Sequence, residues 1–433
     1  MSDNNSGIKA SKRRQMEARR RRLRRRKRKR AMLLGGMLCT VCLILFSTIY
    51  GISHLLHKHT DTKEAVKTSQ KQTAKSKDTS SSKEKIDTSA VKTQELVINT
   101  DNDSGKKKKK SSSKEPATIT ISSMGDCTLG TDEGFDQSTS FNAYYNEYGA
   151  DYFFKNVRSI LEADDLSVVN FEGTLTEETS RADKTFAFKA PAEYAQILTS
   201  GSVEAVNTAN NHSHDYGEQS YTDTLTALDN AGITHFGYDD TAVMDIKGIK
   251  VGLVGIYELK DHLGREQQLK DNIAKVKADG AELIVVIFHW GNETETVPDT
   301  NQMTLGRLAI DEGADLVCGH HPHVLQGIET YKGKNIVYSL GNFCFGGNSS
   351  PSDMDTMIFQ QTFTVTSEGV QADNVTNIIP CSISSADGYN NYQPTPASGD
   401  EASRIKSKIE ECSAAIPAAD SSSATSEGSD SEK

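Results

Sequence analysis

Acidic residues are nearly missing from the first 30 positions, where Asp3 and Glu17 stand against fifteen Lys/Arg. The rest of the 433-residue chain carries 34 basic and 57 acidic side chains, so a basic amino end precedes an acidic body. That asymmetry is a targeting pattern more than a property of a fold. Charge then vanishes. Positions 31–56 hold no Asp, Glu, Lys or Arg, and about 20 apolar residues suffice to span a bilayer. A basic block feeding such a run argues against a nucleic-acid-binding arm. Lys/Arg stay on the cytoplasmic side, so 1–30 reads as a cytoplasmic segment and 31–56 as a single transmembrane helix. The run is long for a signal-peptide core and lacks a clear small-residue cleavage pattern. The main domain is therefore expected to be extracellular and anchored to the cell membrane.

Aromatic residues are absent from 57–115, a stretch of Lys, Ser, Thr, Gln and Asp. Such a segment cannot bury enough apolar surface to offset chain entropy, and 57–116 reads as a disordered linker. Its five-lysine run, 106–110, reads as a solvated tether or as a contact for anionic wall polymer or lipid headgroups. Cysteine is sparse as well. Two of the seven, Cys39 and Cys42, fall in the apolar run, and the other five are Cys127, Cys318, Cys344, Cys381 and Cys412. Five scattered cysteines exclude a disulfide-dense scaffold, and none of them forms a CxxC zinc pair.

From 117 to 396 the pattern changes. Short alternating or wholly apolar runs (117–124, 166–169, 205–208, 249–256, 283–288, 315–318) alternate with helical spacings (151–162, 193–198, 221–231, 303–312). Hairpin signals sit at Lys247-Gly248 and Lys332-Gly333, and two late alternating runs bracket Ser367-Glu368-Gly369. This is the signature of a layered α/β domain. The late hairpins add antiparallel strands, and the specific expectation is a four-layer α/β/β/α sandwich. Positions 397–433 read as an acidic disordered tail.

Polar clusters stand at the ends of these strands. Asp126 follows the first, Asn170 and Glu172 the second, and Asn211 and His212 the third. His289 ends a fourth, and His320, His321 and His323 follow a fifth. Open α/β sheets bind ligands at the carboxyl ends of their strands. Carboxylates, an amide and several imidazoles suit one or two divalent ions of Mn, Fe or Zn better than Mg or Ca. Two such ions can activate water and clamp a phosphoryl group, so phosphoester hydrolysis is the favoured reaction. Each piece alone has a plain structural reading: a turn residue, a helix cap, a packed core histidine. Their shared position at strand ends is what points to one site.

The ordered set Gly125-Asp126, Asn170-Phe-Glu-Gly173, Phe188-Lys-Ala-Pro191, Ala209-Asn-Asn-His-Ser-His-Asp-Tyr-Gly217, His289-Trp-Gly291, Gly319-His-His-Pro-His-Val-Leu-Gln326 and Ser339-Leu-Gly-Asn-Phe343 resembles the capsule-biosynthesis family typified by CapA, the poly-γ-glutamate synthesis protein. The resemblance covers roughly 118–345, more weakly to 396, and implies a calcineurin-like metallophosphoesterase fold. It implies Asp126, Glu172, Asn211, His289, His321 and His323 as metal ligands, with Glu172 as the bridge. It implies His212, oriented by Asp215, as the acid at the leaving oxygen. Lys189, Asn170 and Asn342 would face substrate, and His320 would support the ligands. The expected partners are the membrane, an anionic surface polymer such as poly-γ-glutamate, and a membrane synthase complex. The phosphoesterase pattern has Asp-x-His at the first site, whereas Asp126 is followed by Cys127-Thr128, so one nitrogen ligand is absent. Two functions therefore stay open: a metal-dependent hydrolase, and a non-catalytic accessory protein for polymer export or anchoring.

Overall fold

The structure, a computed structural model, describes residues 116–418. The basic segment, the apolar run at 31–56 and nearly all of the linker lie outside the described residues. Among the described residues no helix is long and apolar enough to cross a membrane.

The chain builds half of one sheet, then all of a second, and then returns to finish the first. Strands β1 (Ala117–Thr128), β2 (Leu166–Phe171), β3 (Ala205–Asn207) and β4 (Thr234–Phe236) lie side by side in parallel. The second sheet opens with the hairpin β5 (Ala242–Ile246) and β6 (Ile249–Tyr257). Parallel β7 (Leu283–His289) and β8 (Leu316–His320) follow. It closes with the hairpin β9 (Ile328–Tyr331) and β10 (Lys334–Val337). Then β11 (Asn342–Phe345) pairs with the end of β1, and β12 (Asp355–Thr366) and β13 (Val375–Ser382) add antiparallel strands beside its beginning. The spatial orders are β13-β12-β1-β2-β3-β4 and β9-β10-β8-β7-β6-β5.

Side chains alternate across a strand, and the alternation assigns the layers. Ile119, Ile121 and Val168 of the first sheet share one buried cluster with Val251, Leu253, Val285 and Ile287 of the second, so the sheets face each other. On the outside of the first sheet, Val169 and Val206 pack with residues of the helices α1 (Phe141–Tyr148), α2 (Gln196–Ser200) and α3 (Glu218–Ala231): Phe141, Leu198 and Leu228. Outside the second, Val254 and Val286 pack with Leu269 and Ile273 of α4 (Glu266–Ala278) and Leu305 of α5 (Thr300–Asp311). The result is the expected α/β/β/α sandwich. Because β6, β7 and β8 are covered on both faces, they read as continuous apolar runs. Helix α5 starts at a capping box in which the Asp299 carboxylate accepts from Gln302 N (2.9 Å) and the Gln302 side chain accepts from Asp299 N (2.9 Å).

Two expectations need correction. The spacing at 151–162 predicts one helix, but the chain forms a short turn, Ala150–Tyr152, and a single helical turn, Arg158–Leu161. Phe153 stacks on Phe141 (4.2 Å) while Phe154 meets Phe343 (5.8 Å), so adjacent residues are anchored in different directions. The acidic tail expected from 397 instead begins with helix α6 (Gly399–Ala414), which buries Ile405, Ile409 and Cys412. Ile405 and Ile409 join the core between the sheets. Arg404 holds both oxygens of Asp355 (2.6 and 2.7 Å), and Lys408 reaches Asp353 (2.6 Å) and Asp355 (2.8 Å).

Candidate metal centre

The carboxyl ends of β1, β2, β3, β7 and β8 open onto one place, and a bulge aims the first carboxylate at it. Opposite β2, Ser123 pairs with Val168 and Asp126 with Asn170, so β1 carries one extra residue between them. At the same point its other neighbour changes from β12 to β11. Gly125 sits at that crossing, where a Cβ would lie 2.2 Å from Gly341 O. Asp126 N then donates to Gly341 O (3.0 Å). The Asp126 carboxylate is fully buried and accepts from His321 N (3.2 Å).

Asn170, at the end of β2, ties three elements together. Its Nδ2 donates to Asp126 Oδ1 (2.8 Å) and to His289 Nδ1 (3.2 Å), and its Oδ1 accepts from Asn207 Nδ2 (2.8 Å). On the other side of the ring, His289 Nε2 lies 2.7 Å from Asn211 Oδ1. Asn207 in turn lies over Gly255 of β6. A Cβ there would meet Asn207 Oδ1 at 2.1 Å, so only glycine lets the sheets approach this closely.

Glu172 follows β2 and is fully buried, and neither carboxylate oxygen has a hydrogen-bond partner. Nε2 of His212, His289 and His323 stand 3.7, 3.9 and 3.9 Å from its Oε1. An unpaired buried carboxylate is costly. His321 and His323 reach the same space from a turn in which both adopt left-handed backbone (φ 93° and 56°). Such conformations cost about 1–3 kcal/mol each in a non-glycine residue and cluster at functional sites. Nδ1 of His323 contacts Asn342 Oδ1 (2.9 Å) and lies 3.3 Å from Asp126 Oδ2. His320 Nδ1 lies 3.4 Å from Asp126 Oδ1.

These contacts polarise the site. Burial pushes the Glu172 carboxyl up to about 8, with the Asp126 charge adding to it. For Asp126 burial acts the same way, but His320 and His323 outweigh it and hold the carboxyl well below its usual range. Burial would lower His323, yet Glu172 and Asp126 outweigh it and raise the imidazole to about 10. Burial, then the neighbouring His323 charge, lower His321 to about 3. Burial and His321 likewise hold His289 well below the ordinary imidazole range. Neutral imidazoles next to under-compensated carboxylates are the donor state that a divalent cation takes up.

Two overlapping donor groups follow. Glu172, His289 and His321 form one; Asp126, Glu172 and His323 form the other; within each, the ligand atoms lie within 4.8 Å of one another. Glu172 belongs to both. Asn211 Oδ1, on His289 Nε2, supplies a fourth donor to the first group. The second has three donors, and Thr128, buried two residues after Asp126, supplies no imidazole to it. The orphaned Glu172 carboxylate and the mixed N/O donors fit a divalent transition ion.

Beside this centre, His212 Nδ1 bonds Asp215 Oδ2 (2.7 Å), leaving Nε2 toward Glu172. Burial lowers the His212 pKa, and the Asp215 bond opposes that shift. Asp215 also accepts from Phe188 N (2.6 Å) and from Lys184 Nζ (2.7 Å), and the same ammonium donates to Asn211 O (2.8 Å).

The structure thus gathers Asp126, Glu172, Asn211, His289, His321 and His323, flanks them with His212 and Asp215, and places Asn342 against His323. Two expected substrate contacts do not hold. Asn170 is fully buried, with its amide committed to Asp126, His289 and Asn207. Lys189 pairs along a two-residue strand and turns its ammonium to Glu178 O (2.5 Å), over the Tyr216 ring (4.6 Å). The lysine that reaches the site is Lys184. It sits in an aperiodic loop that carries no sequence signal.

A cavity of about 510 Å³ lies over the centre, with His212, His323 and Asn342 in its wall.

The family described as "Bacterial capsule synthesis protein PGA_cap" matches residues 120–347. The chain is similar to the capsule biosynthesis protein CapA of Bacillus anthracis, 30% identical over 54% of this chain and 61% of that one. It is also similar to the PGA biosynthesis protein CapA of Bacillus subtilis, 34% identical over 46% of this chain and 57% of that one. The match spans about three-fifths of the length of these relatives. A 5'-nucleotidase structure from Candida albicans aligns with 68% of this chain and 56% of its own at 10% identity and a TM-score of 0.37.

Proposed function

The chain belongs to the bacterial capsule synthesis protein family PGA_cap, and we propose that it works there as a membrane-anchored extracellular protein with a divalent-cation site that hydrolyses a phosphorylated or polyanionic surface substrate. Poly-γ-glutamate and a membrane synthase complex are the proposed partners. The observation that carries this reading is the Glu172 carboxylate, buried, unbonded and ringed by three imidazole nitrogens.

Glu172, Asn211, His289 and His321 would hold one ion, and Asp126, Glu172 and His323 a second. A bound ion of this kind supplies positive charge to a phosphoryl group and lowers the pKa of water. The chain's own contribution is proton handling and order. Water that has lost a proton to solvent would add as hydroxide to phosphorus while the P–O bond to the leaving alcohol breaks; His212 in its imidazolium form would give its Nε2 proton to the leaving oxygen and regain one from solvent. Asp215 fixes the proton on His212 Nδ1, and Lys184 fixes Asp215. Full-length protein loaded with Mn²⁺ in detergent is expected to hydrolyse bis-p-nitrophenyl phosphate. His212→Ala should lower that rate about 10²–10⁴-fold while the metal stays bound. An unchanged rate in the variant would rule out this role.

One observation favours the accessory reading. The donor group around Asp126 has three members, and Thr128 stands where the resembled Asp-x-His pattern has an imidazole. A site of this kind would bind polymer without turnover, and an inactive wild type that still retains metal selects this alternative.

A further inference from the structure

The cavity over the centre is not built for an anion. Its wall carries four phenyl rings: Phe135, Phe186, Phe188 and Phe345. Phe188 packs on His212 (4.6 Å) and Phe345 on His323 (5.5 Å), so apolar surface runs directly up to the donor cluster. Phe135 meets Phe186 edge-on at 5.8 Å, and Phe186 is 47% exposed at the rim. Among the described residues, no lysine or arginine lines the cavity, whereas Asp136, Glu293 and Asp353 do. Asp353 is already matched by Lys408 (2.6 Å). That leaves two carboxylates as acceptors, together with the small polar groups of Thr294, Asn348, Ser349 and Ser352.

The wall is held in place. Arg181 bonds Asp132 (2.8 Å) and the carbonyls of Ala182, Lys184 and Thr185, and Asp132 accepts from Ala187 N (2.7 Å). The strap that carries Phe186 and Phe188 is therefore stapled down.

Polyanionic chains would meet two carboxylates here, Glu293 and Asp136, the second held only by Ser138 (2.7 and 3.0 Å), and no cation beyond the metal centre. An ammonium group would use the carboxylates but leave four hydroxyl and amide groups unmatched. Sugar rings present C–H faces to phenyl rings and many hydroxyls to carboxylates, amides and hydroxyls, and 510 Å³ falls in the usual range for small-molecule sites. We propose that this cavity is the subsite for a neutral polyhydroxylated ring, a sugar, whose phosphoester is the group presented to His212 and His323. This rests on the divalent-cation reading above and narrows its substrate to a sugar phosphate.

The test is a binding competition on Mn²⁺-loaded full-length protein in detergent, with four probes: inorganic phosphate, glucose 1-phosphate, phosphocholine and a γ-linked glutamate decamer. Glucose 1-phosphate is expected to bind about tenfold more tightly than phosphate, the scale of one good ring contact. Phe186→Ala should bring that ratio close to one. Equal affinity of the two, or phosphocholine binding as tightly as the sugar phosphate, would overturn the sugar subsite and leave the metal centre standing. So would a decamer that binds more tightly than phosphate and weakens in Phe186→Ala. If no phosphate-bearing probe binds at all, the metal reading fails and the subsite fails with it.

Discussion

Nε2 of His289 lies 2.7 Å from Oδ1 of Asn211. One residue ends a strand of the second sheet and the other follows a strand of the first, so this single contact joins the two sheets at their carboxyl ends. Asn170, between Asp126 and His289, makes a second such link. The site is therefore the seam of the sandwich, and its chemistry is set by what the seam buries without pairing.

The first consequence concerns pH. His323 is raised to about 10, so the stability its proton supplies is full below its ordinary pKa of 6.5 and is lost as pH rises through 10. Glu172 is raised to about 8, so the folded state carries a growing penalty between its ordinary 4.5 and 8. Both effects have the same sign. The melting temperature of metal-free protein should fall between pH 6 and pH 10. Glu172→Gln should flatten that slope, and saturating Mn²⁺ should also flatten it while releasing protons. Calorimetry across that range checks both.

Lys184 is predicted to matter more than Lys189. Its ammonium holds Asp215 and the Asn211 carbonyl, so Lys184→Met should slow phosphodiester turnover by roughly ten- to a hundredfold through a looser His212. Lys184→Arg should recover part of that, and metal content should not change. Lys189→Met, whose partner lies outside the cluster, should leave turnover near wild type.

These two lysines show where the sequence was legible. Strand ends could be read because an apolar run stops at a polar group, and every ligand in the centre sits at such a stop. Lys184 lies five residues before Lys189 in a loop with no period, and only the folded path of the strap decides which one arrives. Asn170 was legible as a site residue but not as a buried linchpin, since nothing in a strand-end asparagine says how many neighbours claim its amide. Helix α6 was hidden by its charge. The signal that would have found it is Ile405, Ile409 and Cys412 at helical spacing.

Helix α6 is part of the core. Ile405→Ala is expected to cost about 2–5 kcal/mol, the usual range for truncating a fully buried isoleucine, read as a lower urea midpoint at unchanged slope. A chain ending at 397 should be digested readily by protease, because the cluster between the sheets would be uncovered.

The apolar run at 31–56 is predicted to hold the protein in the membrane fraction against high-salt washing. Removing 1–56 should send it to the soluble fraction, while a chain lacking only the basic first 30 residues should stay membrane-bound. If the 1–56 deletion remains with the membrane, the anchor lies elsewhere.

Measuring Mn²⁺ affinity and stoichiometry by calorimetry on full-length protein and on Glu172→Gln reaches the centre of the account. One or two ions per chain are expected for the wild type, with a loss of affinity of at least about a hundredfold when the shared carboxylate becomes an amide. Wild-type protein that binds no divalent ion, or a variant that binds it equally well, would contradict the metal centre.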